Sequence, residues 1–282
     1  MITGKTKVVA VIGNPIEHSL SPPMHNAAYK QLGMDYVYVA FKIEKGNLSH
    51  LIESAKTMGL VGLNVTIPYK TDIIEYLDEV DDTARRINAV NTIRFKDGIA
   101  RGYNTDGTGA VKSIEKYTDL KDKKVLVLGA GGASKAITFT LLNHGINSLT
   151  IANRSRDNAI QLIDNLKKQT GFDQISYVDI EKADIILEDV DIIINTTPIG
   201  MYPNVDADTP IKTEKINGNH VVMDIIYNPL ETKLLKMAKD NGATTISGTN
   251  MLIYQGITAF EIFTDRTPSY ESFEKALLEQ LK

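Results

Sequence analysis

Apolar and polar stretches alternate along the chain in two blocks of predicted strands and helices. The first block has predicted strands over 7–12, 35–43, 61–67, 90–95 and 99–103, with helices over 22–32, 47–58 and 72–77. The second has predicted strands over 125–128, 148–152, 175–179, 190–195, 220–226 and 243–246, with helices ending near 143 and spanning 157–168 and 231–240. Two amphipathic helices follow, over 251–263 and 270–281. The alternation predicts an α/β fold with parallel sheets, and the Asp97-Gly98 turn between two strands predicts a hairpin, hence a mixed sheet in the first block.

Length and composition narrow the class of protein. A chain of 282 residues favours two domains, since one domain usually has roughly 100–200 residues. The net charge of −4 gives no support to binding of nucleic acid or of an anionic membrane. No apolar run has the length of a membrane span, and the N-terminus enters a strand without a signal-peptide core. The chain has no cysteine, which excludes disulfides and thiolate chemistry and fits a cytoplasmic enzyme. The five histidines are scattered without ligand spacing, so no metal site is expected.

A glycine-rich turn opens the second block between a predicted strand and a predicted helix. The strand 125–128 is followed by Gly129-Ala130-Gly131-Gly132-Ala133-Ser134. In this position the first glycine permits a sharp turn, and the next two let the backbone approach a pyrophosphate at the helix N-terminus. Ser134 stands where glycine or alanine is usual, and it is small enough for close packing. The turn predicts a dinucleotide-binding loop; the alternative is a glycine-rich turn that binds nothing.

The next strand ends in Asn153-Arg154-Ser155-Arg156, without the carboxylate that usually holds the ribose 2′-hydroxyl of NAD. A guanidinium there suits the 2′-phosphate of NADP. We therefore predict NADP as the cofactor, with Arg154 as its main contact at this position. The alternative is that Arg154 and Arg156 form a solvated face.

Two serines precede the first predicted helix, at Ser19 and Ser21. Ser21 is a favoured N-cap and Pro22 suits the first helical position. Free backbone N–H groups at the helix start, together with the two hydroxyls, predict a site for a carboxylate or a phosphate. The alternative is an ordinary capped helix.

Further polar residues follow the predicted strands of the first block, where open α/β sheets commonly bind ligands. Lys70 and Asp106 are the pair among them that could together transfer a proton, with the carboxylate orienting the lysine. Asn64, Thr66 and Asn91 offer neutral hydrogen bonds suited to the hydroxyls of a small polyol. The alternative is a surface lysine and a helix-capping aspartate.

Taken together, the motifs closely resemble the shikimate dehydrogenase family, which includes the quinate/shikimate dehydrogenases. The matching segments occur in family order over essentially the whole chain: 13–16, 19–22, 24–26, 64–68 with Lys70, 89–92, 104–107, 129–133, 153–155, 195–201, 224–229 and 255–256. The resemblance implies reversible NADP-linked oxidation of shikimate to 3-dehydroshikimate, with quinate as a second substrate in some relatives.

The resemblance also implies the roles of individual residues. It places the substrate carboxylate at Ser19 and Ser21, and the proton transfer at Lys70 with Asp106 beside it. It implies contacts with ring hydroxyls at Asn64, Thr66, Asn91, Asp106 and Gln255, and it places Tyr227 at the substrate. It places Thr196, Gly200 and Met201 at the nicotinamide end, and Gly248 within the cofactor site. The cofactor-binding set is completed by Gly129, Ala130, Gly131, Gly132, Ala133, Asn153, Arg154 and Ser155.

The family architecture implies a substrate-binding domain over 1–107, completed by C-terminal helices over 250–282, and a Rossmann-type doubly wound NADP-binding domain over 108–249. Two features depart from many relatives: Asn88 replaces a glycine, and Asn158 stands where a second arginine is common. Oligomeric state is not determined by the sequence, and a homodimer is one expectation. A different-class alternative is a catalytically inactive protein that binds nucleotide and shikimate.

Overall fold

A computed structural model describes residues 2–281 and divides them into two compact units. One unit comprises the residues up to Thr105 together with those from Gln255 onward, and the other is Asp106–Tyr254. The strands are β1 (Lys7–Gly13), β2 (Tyr36–Lys42), β3 (Gly62–Val65), β4 (Glu79–Val80), β5 (Thr92–Lys96), β6 (Ile99–Tyr103), β7 (Lys124–Leu128), β8 (Ser148–Asn153), β9 (Ile175–Asp179), β10 (Ile192–Asn195), β11 (Val221–Asp224) and β12 (Thr244–Ile246). The α-helices are α1 (Ser21–Gln31), α2 (Leu48–Thr57), α3 (Asp82–Ile87), α4 (Asp106–Glu115), α5 (Gly132–Leu142), α6 (Arg156–Thr170), α7 (Lys233–Asp240), α8 (Gly248–Thr264) and α9 (Tyr270–Gln280).

The first unit contains a six-stranded mixed sheet in the order β2-β1-β3-β5-β6-β4. β1 is parallel to β2 and β3, whereas β5 runs antiparallel to both β3 and β6. The hairpin between β5 and β6 turns at Asp97 and Gly98, whose φ angles are 52° and 79°. Two consecutive positive φ angles are typical of the tightest hairpin turns, so the predicted hairpin and mixed sheet are confirmed.

The second unit contains a six-stranded sheet in which every pair is parallel, in the order β12-β11-β10-β7-β8-β9. Counted from β7, the order is 3-2-1-4-5-6, that of a doubly wound dinucleotide-binding domain. The predicted Rossmann-type architecture is therefore confirmed. Strands that are covered on both faces are apolar throughout, and the cores of β7 and β10 are fully buried from Leu126 to Leu128 and from Ile192 to Ile194.

Four elements lie outside the predicted ones: β4, α3, α4 and a 3₁₀ helix over Ile180–Asp189. β4 and α3 are too short to show periodicity and the 3₁₀ helix is irregular, while Gly107 and Gly109 disfavour a helix in the first turns of α4. The side chain of Asp81 caps α3 by accepting a hydrogen bond from the Thr83 N–H at 3.0 Å. α3 ends at Asn88 with φ 58° and ψ 41°, a left-handed conformation that asparagine tolerates better than most residues. The Asn88 departure noted in the sequence is thus compatible with a turn that glycine would adopt freely.

Candidate functional site

The glycine-rich turn lies where the strand order of the second unit reverses, between β7 and β10. Gly129 has a φ of +104°, and a Cβ atom on it would lie 2.7 Å from Thr196 Oγ1. The Thr196 hydroxyl donates to the Leu128 carbonyl at 2.7 Å, and the Gly129 N–H donates to the Ala152 carbonyl at 2.7 Å. The carboxyl ends of three neighbouring strands are therefore tied together at the switch point, where open α/β sheets bind their ligands.

Gly131 and Gly132 leave open space in front of the first turn of α5. A Cβ atom on either would meet no atom of the chain within 4 Å, and neither has a positive φ. Neither backbone conformation nor internal packing therefore requires glycine there. Gly131 is the N-cap of α5 and no side chain caps the helix, so its first N–H groups face this space. The arrangement fits a phosphate group at the helix N-terminus.

Ser134, the unusual third small residue of the turn, is fully buried. Its hydroxyl donates to the Gly129 carbonyl at 2.8 Å. The buried hydroxyl therefore has a hydrogen-bond partner and links the helix start to the first residue of the turn. The serine variant thus preserves close packing of α5 on the strand.

The segment after β8 holds the residues predicted to recognise the 2′-phosphate. Asn153 Nδ2 donates to the Ser155 carbonyl at 2.8 Å, and Ser155 caps α6 by accepting from the Asn158 N–H at 3.4 Å. Arg154 and Arg156 are exposed, and no salt bridge involving either is present among residues 2–281. Their guanidinium groups are available to an anionic ligand.

The segments after β10 and β11 carry the residues expected near nicotinamide and substrate. Gly200 has a φ of +91°, and Met201 and Tyr227 are 46% and 37% exposed, respectively. Partial burial raises the pKa of Tyr227. Gly248 is explained by packing within the chain, because a Cβ there would lie 2.2 Å from the Ile225 carbonyl oxygen.

The start of α1 differs from its prediction. The N-cap is Leu20, no side chain caps the helix, and Ser21 is its first residue. Pro22 and Pro23 have no N–H, and the Ser21 N–H donates to Ser19 Oγ at 3.4 Å. The prediction of Ser21 as N-cap is wrong, and so is the expectation of several free N–H donors. Any anion recognition here falls to the two half-buried serine hydroxyls.

A buried hydrogen-bond network links the predicted polyol-binding residues of the first unit. Tyr38 Oη donates to Asn64 Oδ1 at 2.7 Å. Asn64 Nδ2 donates to the Asn91 carbonyl and to Thr92 Oγ1, both at 3.0 Å. Asn64 and Asn91 are 8% and 3% exposed. Each amide is therefore held in one orientation at the end of its strand.

Thr105 extends the network towards Gln255. Its N–H donates to Asn91 Oδ1 at 2.9 Å, and its hydroxyl accepts from Asn91 Nδ2 at 2.9 Å. The same hydroxyl lies 3.5 Å from Gln255 Oε1. The structure thus connects Tyr38, Asn64, Asn91 and Gln255 through hydrogen bonds within one unit.

Thr66 and Lys70 lie beyond β3, and both are half-buried. The Thr66 N–H donates to the Ile12 carbonyl at 2.9 Å, and the Lys70 carbonyl accepts from the Val90 N–H at 2.7 Å. Asp106 is the first residue of α4 and is 9% exposed. The pairing of Lys70 with Asp106 stays a prediction.

Five residues that sequence reasoning left without a role are built into these sites: Tyr38, Thr92, Thr105, Asn195 and Asp224. Four of them, Thr92, Thr105, Asn195 and Asp224, lie within the matching segments of the sequence, whereas Tyr38 reads as an ordinary strand residue. Among residues 2–281, no group of three or more histidines, cysteines or carboxylates could hold a metal ion. No helix in the same range is long and apolar enough to cross a membrane.

Comparison with known proteins gives a consistent family. Residues 11–93 match the shikimate dehydrogenase substrate-binding domain, residues 111–225 match the shikimate/quinate 5-dehydrogenase model, and residues 248–278 match the shikimate 5′-dehydrogenase C-terminal domain. The chain is 68% identical over 282 residues to the NADP⁺ shikimate dehydrogenase of Methanosphaera stadtmanae, covering 100% of both chains. It is 49% identical to that of Methanocaldococcus jannaschii, covering 100% of this chain and 99% of the relative.

A solved structure has the same fold over the same length. A crystal structure of a shikimate dehydrogenase in complex with NADP⁺ superposes with a TM-score of 0.94 at 48% identity, covering 100% of this chain and 98% of the other. The polar strand ends of the first unit and the glycine-rich switch point of the second are the features expected of such proteins. The chain therefore belongs to the shikimate dehydrogenase family.

Proposed function

We propose that this chain catalyses the reversible NADP-dependent oxidation of shikimate to 3-dehydroshikimate. The observation that carries the proposal is the open space, here called the open cradle, in front of Gly131 and Gly132 at the switch point of a 3-2-1-4-5-6 sheet. It occurs in a chain whose full-length relatives are named NADP⁺ shikimate dehydrogenases. Residues Gly129 to Ala133 would hold the pyrophosphate, and Thr196, Gly200, Met201 and Gly248 belong to the nicotinamide end of the proposed site.

Lys70 and Asp106 are proposed to handle the proton. Oxidation of a carbinol carbon releases a hydride and a hydroxyl proton, and bound NADP⁺ supplies the hydride acceptor. The Lys70 amine accepts the hydroxyl proton in this direction and returns it during reduction, while Asp106 orients the amine. Because Lys70 with Asp106 can take up the hydroxyl proton while the hydride leaves the carbon, the proposed step requires no metal ion.

The proposed substrate contacts come from the first unit, from Asp106 and from Tyr227. Ser19 and Ser21 present hydroxyls to the carboxylate. The buried network of Asn64 and Asn91 supports their proposed contacts with ring hydroxyls, because both side chains are fixed before a ligand arrives. Thr66, Asp106 and Gln255 complete the hydroxyl contacts, and Tyr227 lies at the substrate in this proposal.

Arg154 is proposed to select NADP over NAD. The exposed guanidinium follows β8, the strand whose end faces the ribose in this sheet topology. An Arg154→Ala variant should weaken NADP⁺ binding at least tenfold and leave NAD⁺ binding unchanged, because one charge-assisted contact to phosphate is lost. Equal losses for both nucleotides would remove Arg154 from 2′-phosphate recognition.

The direct test measures reduced-nicotinamide absorbance while crossing shikimate or quinate with NADP⁺ or NAD⁺. Turnover with shikimate and NADP⁺ supports the proposal. Turnover with quinate would support the broader activity named by the shikimate/quinate model. Absence of turnover in all four mixtures, from folded protein that binds NADP⁺, would favour a binding protein instead.

Variants of the proton-transfer pair test the mechanism. Lys70→Ala should reduce kcat by about 10²-fold or more with a small effect on shikimate binding, since general acid–base groups commonly contribute 10²–10⁴-fold. Asp106→Asn should lower kcat as well. Near-normal kcat in Lys70→Ala would remove Lys70 from proton transfer.

The domain boundaries of 1–107 with 250–282, and of 108–249, form part of the same proposal, as does a cytoplasmic location. Cell fractionation would test the location, and sedimentation would test whether the protein forms a homodimer.

A further inference from the structure

Asp224 is a fully buried carboxylate at the carboxyl end of β11. Its Oδ1 accepts from Asn195 Nδ2 at 3.0 Å and from the Ile226 N–H at 3.1 Å, and its Oδ2 accepts from Thr232 Oγ1 at 2.7 Å. It has no salt bridge to a lysine or arginine among residues 2–281. Burial raises its pKa although all three hydrogen bonds favour the charged form. A buried carboxylate whose partners are neutral hydrogen-bond donors, without a positive charge, lowers the stability of a fold, so stability alone does not account for this residue.

Asn195 connects Asp224 to the segment after β10 through hydrogen bonds. The two residues are direct partners in the register of the parallel strands β10 and β11. With Nδ2 committed to Asp224, Asn195 Oδ1 accepts from both the N–H and the hydroxyl of Thr197, at 3.0 and 2.7 Å. Thr197 Oγ1 in turn accepts from the Ile199 N–H at 3.4 Å. One carboxylate thus fixes the path of the chain from 195 to 199.

The other hydrogen bonds of Asp224 hold the segment after β11. The Ile226 N–H precedes Tyr227, and Thr232 is the N-cap of α7, where its hydroxyl accepts from the Leu235 N–H at 3.3 Å. The buried carboxylate therefore joins the ends of β10, β11 and the start of α7. Loops that follow strands are the mobile parts of such sheets, and they need anchors of this kind to present ligand-binding groups in one geometry.

We propose that Asp224 is the positioning residue of the nicotinamide end, acting through Asn195 and Thr197 on the segment 196–201. The inference rests on the proposed function, which assigns Thr196, Gly200 and Met201 to the cofactor. Asp224 does not touch the cofactor in this proposal; it orders the loop that does. No residue outside the second unit takes part.

The test replaces Asp224 by Asn and measures NADPH binding directly from reduced-nicotinamide fluorescence, with hydrogen exchange of 196–201 in protein without nucleotide. In Asp224→Asn the neutral amide oxygen forms weaker hydrogen bonds than a carboxylate, and the new N–H₂ keeps the bond to Thr232 only if that hydroxyl turns from donor to acceptor. We expect about a tenfold rise in the NADPH Kd and faster exchange in 196–201. Asp208→Asn is the matched control, because the Asp208 side chain is 97% exposed and its ion pair among residues 2–281 is with Lys233; it should bind NADPH as the wild type does.

Thr197→Val provides a milder variant on the same path. It removes the hydroxyl between Asn195 Oδ1 and the Ile199 N–H while keeping the size of the side chain. About a threefold rise in the NADPH Kd is expected, and the Asp224→Asn/Thr197→Val double variant should lose less than the product of the single effects, because both act through one path.

The outcomes separate this inference from the proposed function. A lower melting temperature in Asp224→Asn with wild-type NADPH affinity and wild-type exchange in 196–201 would overturn the inference and assign Asp224 to stability alone. If Asp224→Asn does not fold, Thr197→Val decides, and wild-type NADPH affinity there would overturn the inference. Lack of shikimate turnover by the wild-type protein would refute the proposed function, whereas the NADPH binding and exchange measurements would still decide the role of Asp224.

Discussion

Acid sensitivity of the first unit should depend on His25, a buried residue of α1. The imidazole is 1% exposed and stacks on Tyr38 with ring centroids 4.3 Å apart. The ring centroids of Phe260 and Phe273 lie 6.0 and 5.2 Å from the centroid of His25. Nδ1 has no hydrogen-bond partner among the described residues. Because the surroundings are apolar, burial lowers the pKa of His25 from 6.5 to about 3.

This pKa shift sets the sign and size of the pH effect. Below pH 6.5 the unfolded chain takes up a proton at His25, whereas the folded chain does not do so until about pH 3. Protonation therefore favours unfolding in this window, and the contribution of His25 is complete above pH 6.5 and is lost as the pH falls. At about 1.4 kcal/mol per pKa unit, the loss between pH 7 and pH 4 is about 3 kcal/mol.

Urea unfolding at pH 7, 5.5 and 4 would measure this effect in the wild type and in His25→Phe, which keeps an aromatic ring on Tyr38. The wild type should lose about 3 kcal/mol more than His25→Phe between pH 7 and pH 4. His50→Phe, at an exposed histidine of α2, should follow the wild type. Parallel losses in wild type and His25→Phe would refute the reasoning, since the buried imidazole would then take no part in acid unfolding.

Four further substitutions test local features of the structure. Tyr29→Phe removes a buried hydroxyl that has no partner among the described residues, so it should raise the unfolding free energy by about 1 kcal/mol. Tyr38→Phe removes the donor of Asn64 Oδ1 and should lower the unfolding free energy by about 1–3 kcal/mol. Urea titration measures both, and a Tyr38→Phe variant more stable than Tyr29→Phe would contradict the reasoning. Gly107→Ala should lower the melting temperature markedly, because the new Cβ would lie 2.5 Å from a backbone carbonyl of α5, and an unchanged melting curve would contradict this. Gly131→Ala should melt like the wild type but raise the NADPH Kd about tenfold, because its Cβ enters only the open cradle; fluorescence titration would detect unchanged binding.

The sequence predicted β7 and β10 well because each is a short apolar run, and the glycine-rich turn after β7 marks the start of α5. A fully buried parallel strand has no face to expose, so its pattern is continuous and its ends are sharp. Ser134 also agrees with the prediction, because close packing of the helix requires only a small residue and the Gly129 carbonyl accepts a hydrogen bond from the serine hydroxyl.

The start of α1 shows where local rules fail. Serine before two prolines reads as an N-cap, and the same motif contains the helix start that the structure shows at Ser21. Consecutive prolines remove the N–H groups on which the anion-site argument depended. Leu20, whose side chain cannot accept a hydrogen bond, takes the cap position instead.

The direction of hydrogen bonding in the substrate-side network was beyond sequence reasoning for a related reason. Asparagine and threonine can each donate or accept, so naming Asn64 and Asn91 as polar ligands does not say which atom faces which partner. Two backbone groups decide it. The Asn91 carbonyl can only accept, so it turns Asn64 Nδ2 towards itself and Oδ1 towards Tyr38. The Thr105 N–H can only donate, so it turns Asn91 Oδ1 towards itself. Strand pairing between β3, β5 and β6 brings these groups together, and the amide orientations follow from the fold rather than from the residues alone.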